Sequence, residues 1–437
     1  MTRWIVRVLL SLAGMGGTLT AGLWLGISAA NAAEYTVAPG ALADSLRQAS
    51  AGDVLRLMDG RYAGNFVIDK PLTLIGAPDS RLDGEGRGRV LTVDAPGVVV
   101  QGVTVVNSGS DLSREDAGIF VTEKGEGSVI RDNRLGNNLI GIYLKGARKA
   151  VVRNNVIHGQ RDARLNERGN GIHIWNAPGA VVDRNVVRYG RDGIFVTTSR
   201  DNEFTNNDFR DVRFAIHYMY TEDSRVRGNR SYGNHVGYAL MYSRKLDVRR
   251  NLSVGDRDHG LLLNYVLNST IDGNKVKDSA GKCTFIYNAN INVFTGNWFE
   301  GCAIGIHFTA GSERNVITGN AFVGNRHQVK YVGTRRLNWS RDGRGNYWSD
   351  YANYDLGGDG IGDRPYRPND LVDHIIWAHP DAKLLLKSPA IEILRYAQRQ
   401  LPALHPGGVI DPAPLMQPPK LALETDLMDG AREVIHD

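Results

Sequence analysis

Two methionines stand at equivalent places in successive stretches of this chain: Met219 in FAIHYMYTEDS (residues 214–224) and Met241 in GYALMYSRKLD (residues 237–247), with His217 two residues before the first. Thioether sulfur is a soft ligand that favours Cu(I), and imidazole suits copper in either oxidation state. If one face of one element carries all three side chains, His217, Met219 and Met241 form a transient copper site. Two other readings compete with it. Met and aromatic side chains also make adaptable protein-docking surfaces, and a loop covering them would make them ordinary packing. His235 and His259 lie near the preceding turns, where they could assist or simply be solvated.

What positions these residues is a repeat. Asn133, Asn155, Asn185, Asn207, Asn229, Asn251, Asn274, Asn297 and Asn320 follow one another at 22, 30, 22, 22, 22, 23, 23 and 23 residues. A small residue opens each unit, at Gly118, Gly141, Gly171, Gly193, Ala215, Gly237, Gly260, Cys283 and Gly305. The one long interval is a normal unit plus eight residues, best assigned to the polar stretch 159–170. A fixed period of this length means stacked units, none able to bury its apolar face alone. Within each unit GIHIW, GIFVT, AIHYM, GYALM, GLLLN and GIHFT alternate bulky residues at the second and fourth places. Alternation over four or five residues with Asn/Gly turns predicts strands, and no Leu ladder supports a leucine-rich repeat. The fold expected is all-β: a right-handed parallel β-helix of about 22-residue coils with three short strands in each. Recurrent Asn suits its corners, where it tolerates left-handed backbone and can bond to its neighbour in the next coil.

Aligning the coils gives one inward column from Ile119 through Ile216 and Tyr238 to Ile306, and a second from Val121 through Tyr218 and Leu240 to Phe308. The position between them then faces out: Phe120, Tyr143, His173, Phe195, His217, Ala239, Leu262, Phe285 and His307. So does the one after, including Lys145, Trp175, Met219, Met241 and Tyr287. This face is crowded with aromatics, His and Met, and nearly devoid of carboxylates. An exposed apolar stripe of that extent marks an interaction site, which names His173, Trp175, Phe195, Phe285, Tyr287 and His307 as a partner-docking face.

Residues 1–32 read as an export signal: Arg3 and Arg7, an apolar run from Val8 to Ala21 continuing through Leu23 to Ile27, and Ala30-Asn31-Ala32 as the cleavage site. The alternative is an uncleaved anchor, since the apolar stretch nearly spans a bilayer. With 51 Gly, 15 Pro and 42% hydrophobic residues in all, the chain is globular and rich in turns. A net charge of only +5, with Arg scattered along the chain, argues against nucleic acid as a partner. Cys283 and Cys302 are the only cysteines in a chain read as exported; they either pair or remain buried thiols. The segment ALADSLRQASAGD predicts a short helix capping the open first coil, with strands following at 54–57, 66–68, 72–75 and 98–105. The β-helix is expected to span residues 33–345.

Residues 346–388 read as a C-terminal cap, closed by Trp348, Tyr351 and Tyr354. Asp355, Asp359 and Asp363 recur every four residues in a Gly-rich loop that resembles a calcium loop, yet Gly357 stands where a second Asp is expected and no Glu ends it. Either structural calcium or Asx-turn chemistry follows. Residues 389–437 read as an arm. There SPAIEILRYAQRQLPAL carries Ser388 at an N-cap, Pro389 at the first helical position, and Ile391, Leu394, Tyr396, Ala397 and Leu401 roughly on one face. This helix either packs on the β-helix or serves attachment elsewhere. The following DPAPLMQPPK reads as extended, flexible or partner-wrapped; no periodicity constrains residues 421–437.

Taken together, the export signal, the coils, AIHYMYTEDS, VGYALMYS, GIHFTAGSERN and GNYWSDYANYDLGGDGIGDRPY resemble the NosD family of nitrous oxide reductase maturation proteins over nearly the whole mature chain. The β-helix alone is unspecific; HYMY and NYWSDY in this order are specific. The resemblance implies a periplasmic, non-enzymatic subunit associated with the inner membrane through partners. Those partners are the permease and ATPase of an ABC-type complex, a copper chaperone lipoprotein and the apo nitrous oxide reductase, whose copper–sulfide centre it helps assemble. It also implies that Ile391, Leu394, Tyr396 and Leu401 attach the chain to the permease. The competing class is a uronan lyase or C5-epimerase on the same fold. Such chemistry needs a general base and acid beside a group that neutralises the sugar carboxylate. The outward columns carry only Lys145, the Asp-Pro-His-Asp motif of alginate epimerases is absent, and DRDHG (256–260) and VDH (372–374) lack partners.

Overall fold

The computed structural model describes residues 32–421 apart from 310, 332, 334, 387 and 402–406. Residues 1–31, nearly all of the stretch read as an export signal, and residues 422–437 lie outside it. Three parallel sheets wind around one interior. The first has 13 strands from Glu34–Val37 to Val316–Ile317, the second 12 from Phe66–Ile68 to His327–Lys330, and the third 13 from Gly60–Ala63 to Tyr347–Trp348. Each coil contributes one strand to each sheet, which is the right-handed β-helix expected.

The second sheet carries the columns read from the alternation. Its register pairs Ile194 with Ile216 and Ile216 with Tyr238, and aligns Val196, Tyr218 and Leu240 two positions on. Both inward columns are buried along their length. At roughly 4.8 Å between coils, each inward residue packs on its equivalents above and below, so a coil without neighbours has nothing to bury against.

The recurrent asparagines form a ladder inside one corner. Asn229 illustrates the rule: its Nδ2 donates to the Phe204 carbonyl at 2.8 Å and to Asn251 Oδ1 at 3.0 Å, and its own Oδ1 accepts from the Asn207 backbone N–H at 3.0 Å. The left-handed backbone belongs to the residue before each rung and not to the rung itself. Asp132, Asn154, Arg184, Asn206 and Arg250 have φ between +53° and +58°, and Gly273, Gly296 and Gly319 take over further along.

Both ends are closed. Helix α1 (Leu42–Gln48) buries Leu42 and Leu46 and lies against Phe66–Ile68, the first strand of the second sheet. Lys70 Nζ caps its C-terminal end by donating to the carbonyls of Leu46, Arg47 and Ala49. At the other end Trp348 stacks between Phe322 and Tyr366, with ring centroids 4.4 and 4.6 Å away. Trp348 and Tyr351 thus close the last coil as expected, whereas Tyr354 is exposed. Helix α2 (Leu371–Ala378), which alternation did not reveal, begins on an Asp370/Asp373 capping box. Asn369, just before it, donates to the carbonyl of Val329 in the last strand of the second sheet.

The segment DPAPLMQPPK is not a free tail. Gly408–Ile410 pairs with Arg336–Asn338, and Asp411 is buried under the last coil. Its carboxylate accepts from the Asn346 backbone N–H at 2.7 Å and from Trp348 Nε1 at 2.8 Å. Leu415 is buried as well, bridged to Tyr347 and Ile361. Cys283 and Cys302, left open by the sequence, form a disulfide.

Candidate functional site

Met219 and Met241 are register partners in adjacent coils, half-buried on the outer side of the second sheet. Neighbouring coils set their Cα atoms roughly 4.8 Å apart, well within the reach of two thioethers sharing one ion. His217 lies on the strand of Met219 and projects to the same side, since alternate residues share a face. The outward orientation therefore holds for all three.

His217 nevertheless is buried, at 8% exposure. It is covered by Phe195, its neighbour in the column, with ring centroids 4.9 Å away, and by Phe214 of its own strand, edge-on at 4.9 Å. The expected open stripe is in fact a self-packed ridge. Tyr143 lies parallel on His173 at 4.2 Å, His173 meets Phe195 at 5.0 Å, and Phe285 stacks on His307 at 4.8 Å. Of the docking residues expected from sequence, Trp175 and Tyr287 are exposed while His173, Phe195, Phe285 and His307 are half-buried. Stacking also strips water from the imidazoles. Burial pushes His173 down to about 4 and His307 down to about 4, the latter helped by Lys330 and Lys282.

Nor is the face free of carboxylates. The expectation counted only residues on the outward columns, but Asp192 and Glu115 reach in from the turns that lead into the strands. Glu115 pairs with Arg89 at 3.1 Å and Lys145 at 2.7 Å. Asp192 is almost wholly buried and accepts from Arg213 Nε at 2.8 Å and Nη2 at 2.6 Å, with His217 Nδ1 at 3.0 Å. Burial alone would push the Asp192 carboxyl up; the bonds from His217 and Arg213 outweigh it and hold it below the usual range. On the far side of the His217 ring, Nε2 is buried with no hydrogen-bond partner. The next coil offers Ala239 beside it, the smallest side chain of the outward column. An imidazole on the same strand as one thioether and one coil from the other suits a soft monovalent ion. Among the described residues no group of three or more His, Cys, Asp or Glu is placed to hold a metal, so any copper site here depends on the sulfurs.

One further feature went unread. Tyr220, Tyr242 and Tyr265 are exposed and stack with centroids 5.3 and 5.1 Å apart along the edge of the methionine column, and exposed Tyr287, within that column, meets Tyr265 edge-on at 6.0 Å. The first three hold φ of +57°, +48° and +54°, which carries their rings out of the strand line. Their 22- or 23-residue spacing is present in the sequence and would have revealed them.

The acidic loop is built differently from a calcium cage. Asp355 accepts from the backbone N–H groups of Gly358 and Gly360, Asp359 from Ile361, and Asp363 from Leu356. Each carboxylate accepts from backbone N–H groups of its own loop, which is the Asx alternative, and among the described residues no group of three or more His, Cys, Asp or Glu is placed to hold a metal. Fragments that suggested an enzyme are likewise structural. Asp256 is buried, accepting from Ser231 and Ser253 hydroxyls and the Asn234 N–H, and Asp373 belongs to the α2 capping box. In helix α3 (Pro389–Gln400) Ile391 and Leu394 pack on Val372 and Ile376 of α2, leaving Ile393, Tyr396 and then Leu401 exposed.

Fold and face together define a right-handed parallel β-helix whose outer sheet carries a thioether pair beside an oriented imidazole. By sequence the chain belongs to the NosD family. A Pseudomonas aeruginosa protein described as "Probable ABC transporter binding protein NosD" is 44% identical over 94% of this chain and 97% of its own length. One from Stutzerimonas stutzeri with the same description is 42% identical over 85% and 88%. Residues 154–353 match the family described as "Periplasmic copper-binding protein (NosD)", and residues 80–187 a right-handed β-helix region. Solved structures add fold alone: the A-module of Azotobacter vinelandii mannuronan C-5 epimerase AlgE6 superposes with TM-score 0.56 at 14% identity, covering 66% of this chain and 89% of that one. The AlgE4 A-module gives 0.51 at 14%, covering 66% and 91%. No helix among the described residues is long and apolar enough to cross a membrane.

Proposed function

We propose that this chain is the periplasmic, non-enzymatic scaffold of an ABC-type complex, which helps deliver copper and assemble the copper–sulfide centre of nitrous oxide reductase. The observation that carries the copper part is the register of Met219 with Met241 in adjacent coils, on the same face as His217, whose Nε2 has no partner. Copper is cargo here, held by two thioethers and one imidazole strongly enough to be accepted and weakly enough to be passed on. The descriptions of its relatives, a periplasmic copper-binding family and an ABC transporter binding protein, support the compartment and the type of assembly.

The rest of the molecule divides accordingly. The outer face from His173 and Trp175 through Phe195 to Phe285, Tyr287 and His307 meets the copper chaperone lipoprotein and the apo reductase. Its exposed members Trp175 and Tyr287 make first contact. The β-helix (33–345) is the rigid spacer and residues 346–388 its cap. The arm from 389 attaches to the permease, with its ATPase, through the side of α3 that bears Tyr396 and leads to Leu401; Ile391 and Leu394 support that side from within.

Cu(I) titration of the purified chain against a competing chelator tests the site. Met219→Leu/Met241→Leu is expected to lose Cu(I) binding and reductase maturation while staying folded; unchanged affinity and unchanged maturation would discard the copper assignment. Uronate lyase and epimerase assays on the same preparation are expected to be silent.

A further inference from the structure

The copper reading leaves unexplained why a scaffold should hold an Arg–Asp–His triad on its outer face, with Asp192 and His217 buried and Arg213 half-buried. Asp192, at the start of its strand, is gripped by two parallel bonds from Arg213 and lies 3.0 Å from His217 Nδ1. Arg213 Nη2 lies farther from the same nitrogen, at 3.5 Å. A guanidinium can only donate, so the two contacts demand opposite tautomers of His217: a proton on Nδ1 to reach Asp192, or a lone pair there to meet Arg213. The shorter distance, and the charge of the acceptor, select the first.

We propose that Asp192, clamped by Arg213, is a positioning residue: it keeps His217 as the Nδ1–H tautomer and so presents a lone pair at the buried, partnerless Nε2 as the third donor beside Met219 and Met241. This inference rests on the copper reading and assigns its outer support. Carboxylates bonded to the far nitrogen of a ligating imidazole fix its tautomer, aim its ring and raise its basicity. Three features of the chain agree. Nε2 has no hydrogen bond to lose when an ion arrives. Phe195 and Phe214 hold the ring from two sides, so its plane is set before binding. Ala239, in register with His217 on the coil that carries Met241, is the smallest side chain of the outward column and sets nothing bulkier than a methyl beside the imidazole. Two thioethers and one neutral nitrogen make a donor set without charge, which suits Cu(I) or Ag(I) and gives little to a divalent ion.

The test uses the full mature chain. Long-range ¹H–¹⁵N spectra of the imidazoles near neutral pH, with the His217 signals identified by their loss in His217→Gln, are expected to show Nδ1 protonated and Nε2 bare. Added Ag(I) should then shift Nε2 and leave the Nδ1 proton in place. In Asp192→Asn, Cu(I) affinity by chelator competition is expected to fall about 10- to 100-fold, with the tautomer signature lost. Finding Nε2 protonated in the native chain overturns the proposal without any variant, so a poorly folding Asp192→Asn does not shelter it. Native Cu(I) affinity in a folded Asp192→Asn also overturns it, and if Met219→Leu/Met241→Leu has meanwhile lost binding, the copper reading survives alone. Retained binding in that double variant removes both.

Discussion

Asn346, the last rung of the asparagine ladder, donates its backbone N–H to the Asp411 carboxylate at 2.7 Å across 65 residues of chain. Every earlier rung finds its acceptor in the next coil, and here there is none; a carboxylate from the returning segment stands in for it. The same group accepts from Trp348 Nε1 and the Ala413 N–H. Asp411→Ala strands three donors, and a buried donor left unmet costs about 1–3 kcal/mol. The expected outcome is a loss of roughly 3 kcal/mol in denaturant unfolding, together with protease cleavage within residues 408–421. Asp411→Asn, which keeps an acceptor oxygen, should lose less. Cleavage of the native chain at the same rate would show that the segment does not close the coil.

The two inward-facing tyrosines of the second sheet predict opposite effects of one change. Tyr238 Oη lies 2.7 Å from the Asn229 carbonyl and 2.9 Å from that of Leu252, so its hydroxyl is satisfied. Tyr218, equally buried, has no partner for its hydroxyl. Removing a satisfied group forfeits about 1 kcal/mol, while removing an orphaned one relieves its desolvation penalty. Tyr238→Phe should therefore lower the unfolding midpoint and Tyr218→Phe raise it. A fall in both would refute the distinction.

Asp256 gives stability a pH dependence. Burial pushes its carboxyl up from 3.8 to about 7, against hydrogen bonds from Ser253, Ser231 and Asn234 that act the other way. Between those values the folded chain holds a proton that the unfolded chain has released, so stability falls as pH rises from about 4 to about 7, by up to ~1.4 kcal/mol per unit. His173 and His307, lowered to about 4, act in the opposite sense: the unfolded chain takes protons first as pH falls below about 6.5. The contribution of Asp256 is thus isolated by comparing Asp256→Asn with the native chain, at pH 5 and pH 8. The variant should gain stability relative to native at pH 8 and not at pH 5; an equal difference at both leaves the carboxyl untitrated in this range.

How legible all this was follows from range of interaction. The inward columns were readable because each residue packs on its equivalent one period away, and Ile194, Ile216 and Tyr238 align in the register as in the sequence. Met219 and Met241 were found for the same reason. What escaped was set by contacts outside the period. Asp192 and Arg213 stand at the mouths of strands, off the columns that were counted, yet their side chains reach His217. Asp411 meets Asn346 from beyond the repeats. His217 was expected in the open because alternation reports which way a side chain points and not how tightly its neighbours stack above it.

Helix α3 separates support from contact. Ile391 and Leu394 pack on Val372 and Ile376 of α2, while Ile393, Tyr396 and then Leu401 face away from that core. A charge at Ile391 would have to be buried in a small apolar cluster, and the helix pair would open rather than accept it. A charge at Ile393 or Tyr396 remains in water and should leave stability within about 0.5 kcal/mol of native. If the arm attaches this chain to a membrane permease through that exposed side, Ile393→Glu/Tyr396→Glu abolishes recovery of the chain with the membrane fraction while its unfolding curve and Cu(I) affinity stay native. Ile391→Glu should lose attachment and the fold of the helix pair together. Membrane recovery that persists in the folded double variant would move the point of attachment off α3 altogether, because no other side of this helix is both apolar and free of α2.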